Sequence, residues 1–99
     1  MTSILHTPFK WGEMTLQNRI VMAALTRMRG TFGEEVPTDL FVTYYEQRAS
    51  AGLIFTEASP ISAESNCFPG AGGIYNDAQV EGWRKVVDAV HAKGSKIMI

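Results

Sequence analysis

The sequence has few features that could cross-link a protein through disulfides or zinc, or hold it in a membrane. Its 99 residues include one cysteine, Cys67, which excludes an internal disulfide framework and any zinc site built from several cysteines. No apolar run reaches the length of a membrane span, and the N-terminus lacks the basic-then-apolar pattern of a signal peptide. We therefore expect a cytoplasmic protein with no membrane partner and no bound metal.

An excess of charge of one sign is also lacking. Nine basic and ten acidic residues give a net charge of −1, and the basic residues are scattered along the chain. Binding to nucleic acid or to an anionic lipid surface needs a clustered positive excess, so we expect neither partner. A chain of this length holds one domain at most.

The Gly-x-Gly-x-x-Gly pattern of a Rossmann site is absent after the first predicted body strand. Arg27 and Arg29 follow that strand and leave two interpretations open. In one they bind a phosphate. In the other, which is the commoner outcome for loop arginines, they lie in solvent or pair with Glu34 and Glu35.

What the sequence does have is an apolar stretch that ends in small residues. The pattern predicts a buried parallel strand over residues 19–24, because polar alternation is missing there. Ala23 and Ala24 keep side chains out of the way at the strand end, and Thr26 adds a hydrogen-bond donor. Ligands of α/β sheets sit beyond the carboxyl ends of the strands, so we expect residues 23–26 to form one wall of a cofactor site.

Further elements follow in the order hairpin, then β-α-β-α-β. The patterns predict a hairpin over residues 6–18 with a turn at Gly12-Glu13. They predict a first helix from Thr38 or Asp39 to about Ser50, stopped by Gly52, and then a strand over residues 53–58. A second helix, capped by Asn76 with Gln79 and ended by Gly94, precedes a strand over residues 96–99. The faces predicted to pack are Phe9, Trp11 and Leu16 of the hairpin, Phe41, Tyr44, Tyr45 and Arg48 of the first helix, and Val80, Trp83, Val87 and Val90 of the second.

This order predicts an α/β fold with parallel strands and right-handed crossovers. The strand over residues 96–99 ends without a turn, a cap or a polar tail, and a bare apolar strand is a feature that natural sheets avoid. We therefore expect the chain to be a fragment, a truncation or one piece of a larger assembly.

Several residues near the end of the second body strand are candidates for function. Glu57 is either a general acid or base, or a partner of a nearby arginine that holds the loops together. Ala58 is small where a ligand could lie flat. The long loop that follows it carries Cys67, which has no neighbouring base or positive charge to activate it as a nucleophile, and Phe68, which we expect to line the site.

Four segments, in register and in order, resemble the Old Yellow Enzyme family. They span nearly the whole chain: Arg19-Ile-Val-Met-Ala-Ala-Leu-Thr-Arg27, Tyr44-Tyr-Glu-Gln-Arg-Ala-Ser-Ala-Gly-Leu-Ile54, Thr56-Glu-Ala58 and Gln79-Val-Glu-Gly-Trp83. The resemblance implies an FMN-dependent ene-reductase that uses NAD(P)H to reduce activated alkenes such as enones. It also implies the N-terminal part of a (β/α)8 TIM barrel, with residues 1–99 in a single FMN-binding domain and residues 1–18 closing the barrel bottom.

The resemblance assigns roles to particular residues. It places Ala23, Ala24, Leu25 and Thr26 against the flavin, with the Thr26 hydroxyl donating to the flavin carbonyl beside the reactive nitrogen. Such a hydrogen bond strengthens as reduction puts negative charge on that side of the ring. The backbone near Ala58 contacts the flavin as well, and Thr26 with Phe68 lines the substrate pocket.

The sequence departs from the family pattern at Ala24 and Gly72, two positions where the family commonly has proline. Both departures are expected to loosen a loop near the site. The family's substrate-orienting histidine pair or histidine–asparagine pair, its tyrosine proton donor and its phosphate-binding arginines are expected beyond Ile99. No catalytic residue is therefore expected within this segment, which alone should be inactive. The alternatives are a non-catalytic fragment or association module, and a different TIM-barrel enzyme that binds a phosphate ligand.

Overall fold

A computed structural model describes residues 3–99 of the chain, so the first two residues of the segment 1–18, which we expect to close the barrel bottom, lie outside the described residues. The strands are β1 (Phe9–Trp11), β2 (Met14–Leu16), β3 (Val21–Met22), β4 (Leu53–Phe55) and β5 (Lys96–Met98), and the helices are α1 (Asp39–Glu46) and α2 (Asp77–Ala92). Two short 3-10 helices, Ile4–His6 and Ala63–Ser65, complete the described elements.

The body of the fold is a parallel sheet in the order β3-β4-β5. Leu53 of β4 stands in register with Val21 of β3 and with Lys96 of β5. Each crossover carries a helix, as short parallel strands require. The predicted β-α-β-α-β order is confirmed, and all three strands point their carboxyl ends at the same edge.

Both helices pack against one face of this sheet. The buried cluster there consists of Phe41, Tyr45, Ala49, Ile54, Trp83, Val86 and Val90. The predicted stripe of α2 is right at Trp83 and Val90, but Val80 is 38% exposed while Val86 and Gln79 are buried. Gln79 tolerates burial because its amide accepts from the Tyr75 N–H and donates to the Glu34 carbonyl.

The N-terminus of α2 has half of the predicted capping box. The Asn76 side chain accepts from the Gln79 N–H, whereas the Gln79 side chain reaches back one residue further, to Tyr75. At α1, Thr38 is the N-cap residue without a side-chain cap bond. Its hydroxyl donates to the Arg29 carbonyl at 2.7 Å, so it ties the preceding loop to the helix.

Helix α1 ends at Glu46 and not near Ser50 as predicted. The N–H groups of Arg48, Ala49 and Ala51 all bond to carbonyls three residues earlier, so the chain tightens into successive turns there. Gly52 has no positive φ and therefore does not act as the predicted helix stop.

The hairpin is confirmed, with Gly12 at φ +61° in its turn. Leu16 is buried as predicted, but Phe9 is 41% and Trp11 47% exposed, so the prediction that all three pack against the body is wrong for the two aromatic residues. The Arg19 guanidinium lies 5.1 Å from the centre of the Phe9 ring, which is a cation–π contact.

Candidate functional site

The edge of the sheet where the parallel strands end is the candidate site. Strand β3 stops at Met22 and β4 at Phe55, both earlier than predicted. Among the backbone hydrogen bonds of residues 3–99, none involves Ala23, Ala24 or Leu25. All three are exposed, so they present main-chain atoms and small side chains at the end where α/β sheets bind ligands.

Thr26 joins the two strand ends. Its Oγ1 accepts a hydrogen bond from the Ala58 N–H at 3.3 Å. A hydroxyl that accepts through its oxygen still has its own hydrogen to donate. Thr26 is therefore held in place by Ala58, and its hydroxyl hydrogen is used in no hydrogen bond among residues 3–99, while its donation to a flavin stays a prediction.

Phe68 and Ala58 line one open cavity of about 290 Å³. The other lining residues are Ser59, Pro60, Ile61, Ser65, Asn66, Cys67 and Ala71. Thr26 does not line this cavity, but it is hydrogen-bonded to Ala58, which does. The structure thus brings Phe68 and Ala58 together directly, and Thr26 with Ala58.

The Cys67 thiol is exposed, and its Sγ lies 3.7 Å from the Ser65 carbonyl oxygen. A backbone carbonyl supplies neither the base nor the positive charge that would activate a thiol. Its role stays as predicted, an unactivated side chain at the rim.

Glu57 is buried at the end of β4, with 3% of its surface exposed. It forms no ion pair with an arginine among residues 3–99, although Arg27 lies near enough for its backbone N–H and its charge to oppose the rise that burial causes in the pKa of this carboxyl. The Tyr45 hydroxyl accepts from the Glu57 N–H at 2.9 Å and donates to Oε1 at 3.5 Å, while Oε2 has no hydrogen-bond partner within residues 3–99. Burial raises the pKa of this carboxyl because the charged form loses its water, and burial also raises the pKa of the Tyr45 hydroxyl.

This arrangement favours the loop-holding interpretation of Glu57. A carboxyl that is enclosed and bonded to a core tyrosine fixes the strand end next to Ala58, and Glu57 lines a separate cavity with Arg27, Arg29 and Tyr44. The hydrogen-bond partner of Glu57 is therefore Tyr45 and not the predicted arginine. The sequence pattern marks Tyr45 only as a packing residue of α1.

Arg27 and Arg29 form no ion pair with Glu34 or Glu35 among the described residues. The Arg27 guanidinium lies 4.9 Å from the centre of the Tyr44 ring, and the Arg29 guanidinium donates to the Arg27 carbonyl at 2.8 Å. Of the interpretation that the arginines lie in solvent or pair with these glutamates, the pairing is therefore not found, whereas Arg29 is exposed and Arg27 is partly exposed.

The residues at the strand ends fit a flat, electron-accepting ring. Exposed alanines with unpaired main-chain groups leave room for a ring to approach the backbone, and the Thr26 hydroxyl offers a donor at the same edge. This set of donors suits the pyrimidine side of a flavin, which gains negative charge on reduction.

Comparison with known proteins gives a consistent result. The model of the NADH:flavin oxidoreductase / NADH oxidase family matches residues 4–99. The flavin oxidoreductase hxnT of Emericella nidulans is 50% identical over 98 residues, covering 95% of this chain and 25% of its own length. A probable flavin mononucleotide-dependent alkene reductase of Leishmania infantum is 47% identical over 94 residues, covering 95% of this chain and 26% of its own length.

A solved structure of an old yellow enzyme homologue from Zymomonas mobilis superposes with a TM-score of 0.91 at 49% identity, covering 97% of this chain and 27% of that one. The predicted family and the predicted fold class, part of a (β/α)8 barrel, are confirmed. The chain spans about a quarter of the length of the curated relatives it matches. Neither α-helix within residues 3–99 combines the length and the apolar character that crossing a membrane requires.

Proposed function

The chain belongs to the NADH:flavin oxidoreductase / NADH oxidase family, and from this premise we propose that the intact protein is an FMN-dependent ene-reductase of the Old Yellow Enzyme type. Its reductant is NAD(P)H and its substrates are small electron-poor alkenes of the enone class. Residues 1–99 then contribute one part of a single FMN-binding barrel domain, with the hairpin at the end of the barrel away from the site.

One observation carries the proposal. The segment Ala23–Leu25, whose main-chain groups make no hydrogen bond to another main-chain group of residues 3–99, lies with the Thr26 hydroxyl at the carboxyl edge of a parallel sheet. The hydroxyl is fixed by the N–H of Ala58, which follows the next strand. A site that handles a charge-accumulating ring needs such a preorganised donor.

The residues of this chain position the reaction and do not perform its bond changes. FMN, when bound, supplies the hydride acceptor and donor chemistry between NAD(P)H and the alkene. Ala23 and Ala24 let the ring reach the backbone, and Leu25 adds apolar surface beside it. The hydroxyl of Thr26 would donate to the ring oxygen where charge accumulates, and Phe68 would cover the side on which substrate enters.

The Thr26→Ala variant tests the proposed role of the hydroxyl. We expect the rate of flavin reduction by NAD(P)H in the intact protein to fall by a factor of roughly 10–100, because a hydrogen bond to a developing charge is worth roughly 1.5–3 kcal/mol and each 1.4 kcal/mol is tenfold in rate. The rate is measured by stopped-flow absorbance. Thr26→Ser is the matched control, since it retains both the bond to Ala58 and the donor, and should keep the rate near that of the wild type.

An unchanged rate in Thr26→Ala would remove Thr26 from the proposed site. An intact protein that stays colourless and binds a sugar phosphate in place of FMN would favour a different phosphate-ligand barrel enzyme instead.

A further inference from the structure

Glu35 has an unusual backbone conformation for its residue type. Its φ is +54°, in the left-handed region that costs a side-chain-bearing residue roughly 1 kcal/mol or more. It is also 5% exposed, and nothing in the sequence pattern marked it for burial. Backbone strain of this kind persists only where the surroundings impose it, and it concentrates at functional sites.

The Glu35 carboxylate has two backbone partners in two different loops. Its Oε1 accepts from the Gly33 N–H at 3.2 Å, and its Oε2 accepts from the Gly70 N–H at 2.7 Å. Gly33 belongs to the loop between β3 and α1, whereas Gly70 belongs to the long loop of residues 59–76. Hydrogen bonds to an ionised acceptor are about twice as strong as neutral ones, so this carboxylate joins the loops firmly.

Two further bonds close the junction. The Gly30 N–H donates to the Gly70 carbonyl at 2.7 Å, and the Gly73 N–H donates to the Glu35 carbonyl at 2.8 Å. Both main-chain groups of Gly70 are thus held from the other loop. Position 70 also favours glycine, because its φ is +81° and an added Cβ would lie 3.0 Å from the Phe32 ring and 3.1 Å from the Met28 carbonyl oxygen.

Phe68 stands two residues before this junction and lines the cavity that Ala58 also lines. We propose that Glu35 is a positioning residue that fixes the long loop at Gly70, holds Phe68 at a set distance from Ala58, and thereby limits the bulk of the substrates that enter. The proposal rests on the proposed function and adds a determinant of substrate size to it. Glu35 touches neither substrate nor flavin in this account.

A residue that merely stabilised the protein would have a different signature. Its loss would speed exchange of the whole core, including the helix α2 that packs beneath the sheet. A positioning residue affects its own loop and the affinity for substrates that contact Phe68, and leaves the chemical step alone.

The test compares three variants of the intact protein. Glu35→Gly removes the carboxylate and suits the positive φ, and Glu35→Gln keeps one acceptor oxygen at the same length. Glu34→Gln is the control, because that side chain is exposed and makes no hydrogen bond among the described residues.

The first readout is hydrogen–deuterium exchange of the protein without FMN, in the segments covering residues 66–74 and 82–90. We expect exchange of residues 66–74 to rise about tenfold in Glu35→Gly and by an intermediate factor in Glu35→Gln, with residues 82–90 unchanged. The control should match the wild type. Unchanged exchange in residues 66–74, acceleration of both segments together, or failure of both Glu35 variants to fold would overturn the proposal.

The second readout is steady-state kinetics of the FMN-loaded protein with 2-cyclohexenone and the bulkier 4-phenyl-3-buten-2-one. We expect the ratio of KM for the two enones to change about fivefold or more in Glu35→Gly with kcat within about twofold. An unchanged ratio would overturn the assigned role in substrate size. A wild-type protein without flavin-dependent turnover would defeat the proposed function instead, and the exchange result would still show whether Glu35 holds the loop.

Discussion

Replacing Trp83 by alanine should lower the free energy of unfolding by about 3–5 kcal/mol, the range for removing a large buried aromatic side chain. Trp83 is 2% exposed and meets the Phe41 ring edge-on at 5.5 Å and the Tyr45 ring at 6.2 Å. Its indole N–H also donates to the Gly73 carbonyl at 2.9 Å, so the variant would leave a cavity and an unpaired buried carbonyl.

Urea unfolding of the intact protein, followed by far-ultraviolet circular dichroism, measures this loss. Val80→Ala is the control from the same helix, because Val80 is 38% exposed and should cost within about 1 kcal/mol. A Trp83→Ala cost no greater than that of the control would mean that the aromatic cluster is not the centre of the core.

Gly52→Ala is expected to cost about 3 kcal/mol or more, at the upper end for forcing extra volume into a packed site. A Cβ on Gly52 would collide with the Asn18 carbonyl oxygen, and both backbones are held in place. Asn18 is held by its side-chain bond to Ser50 at 2.7 Å, and Gly52 is bonded on both sides, to Ile20 and to Lys96.

Gly33→Ala separates this steric effect from the loss of a glycine as such. Gly33 has φ +84° and no atom within 4 Å of a built Cβ, so its substitution should cost only the backbone strain of about 1–2 kcal/mol. Equal costs for the two variants, measured by the same urea unfolding, would contradict the close approach at Gly52.

Gly52 is a position where the sequence correctly indicates that glycine matters but predicts the wrong physical reason. A glycine after a helical pattern predicts a C-terminal stop, but here the requirement comes from Asn18, which is distant in sequence and lies against its backbone. Gly72 is similar. We expected it to loosen its loop, whereas a Cβ there would lie 2.8 Å from both the Phe41 and Trp83 rings, so the bare backbone lets them pack.

The order of elements was predictable because it depends on local patterns. The apolar run before Ala23, the helical stripe through Trp83 and the parallel crossovers each leave a periodic signal. The hydrogen-bond partners of Glu57 and Glu35 leave no periodic signal in the sequence. Tyr45 and Gly70 reach those carboxylates only through the tertiary fold, and no spacing rule relates them.

The most direct test of the account is a titration of the purified intact protein with FMN, followed by the visible absorbance and fluorescence of the flavin. We expect a stoichiometric complex with a dissociation constant of about 1 μM or tighter, corresponding to roughly 8 kcal/mol of binding free energy. A protein that leaves the spectrum and the fluorescence of added FMN unchanged would contradict the assignment of residues 23–26 as a flavin-binding wall.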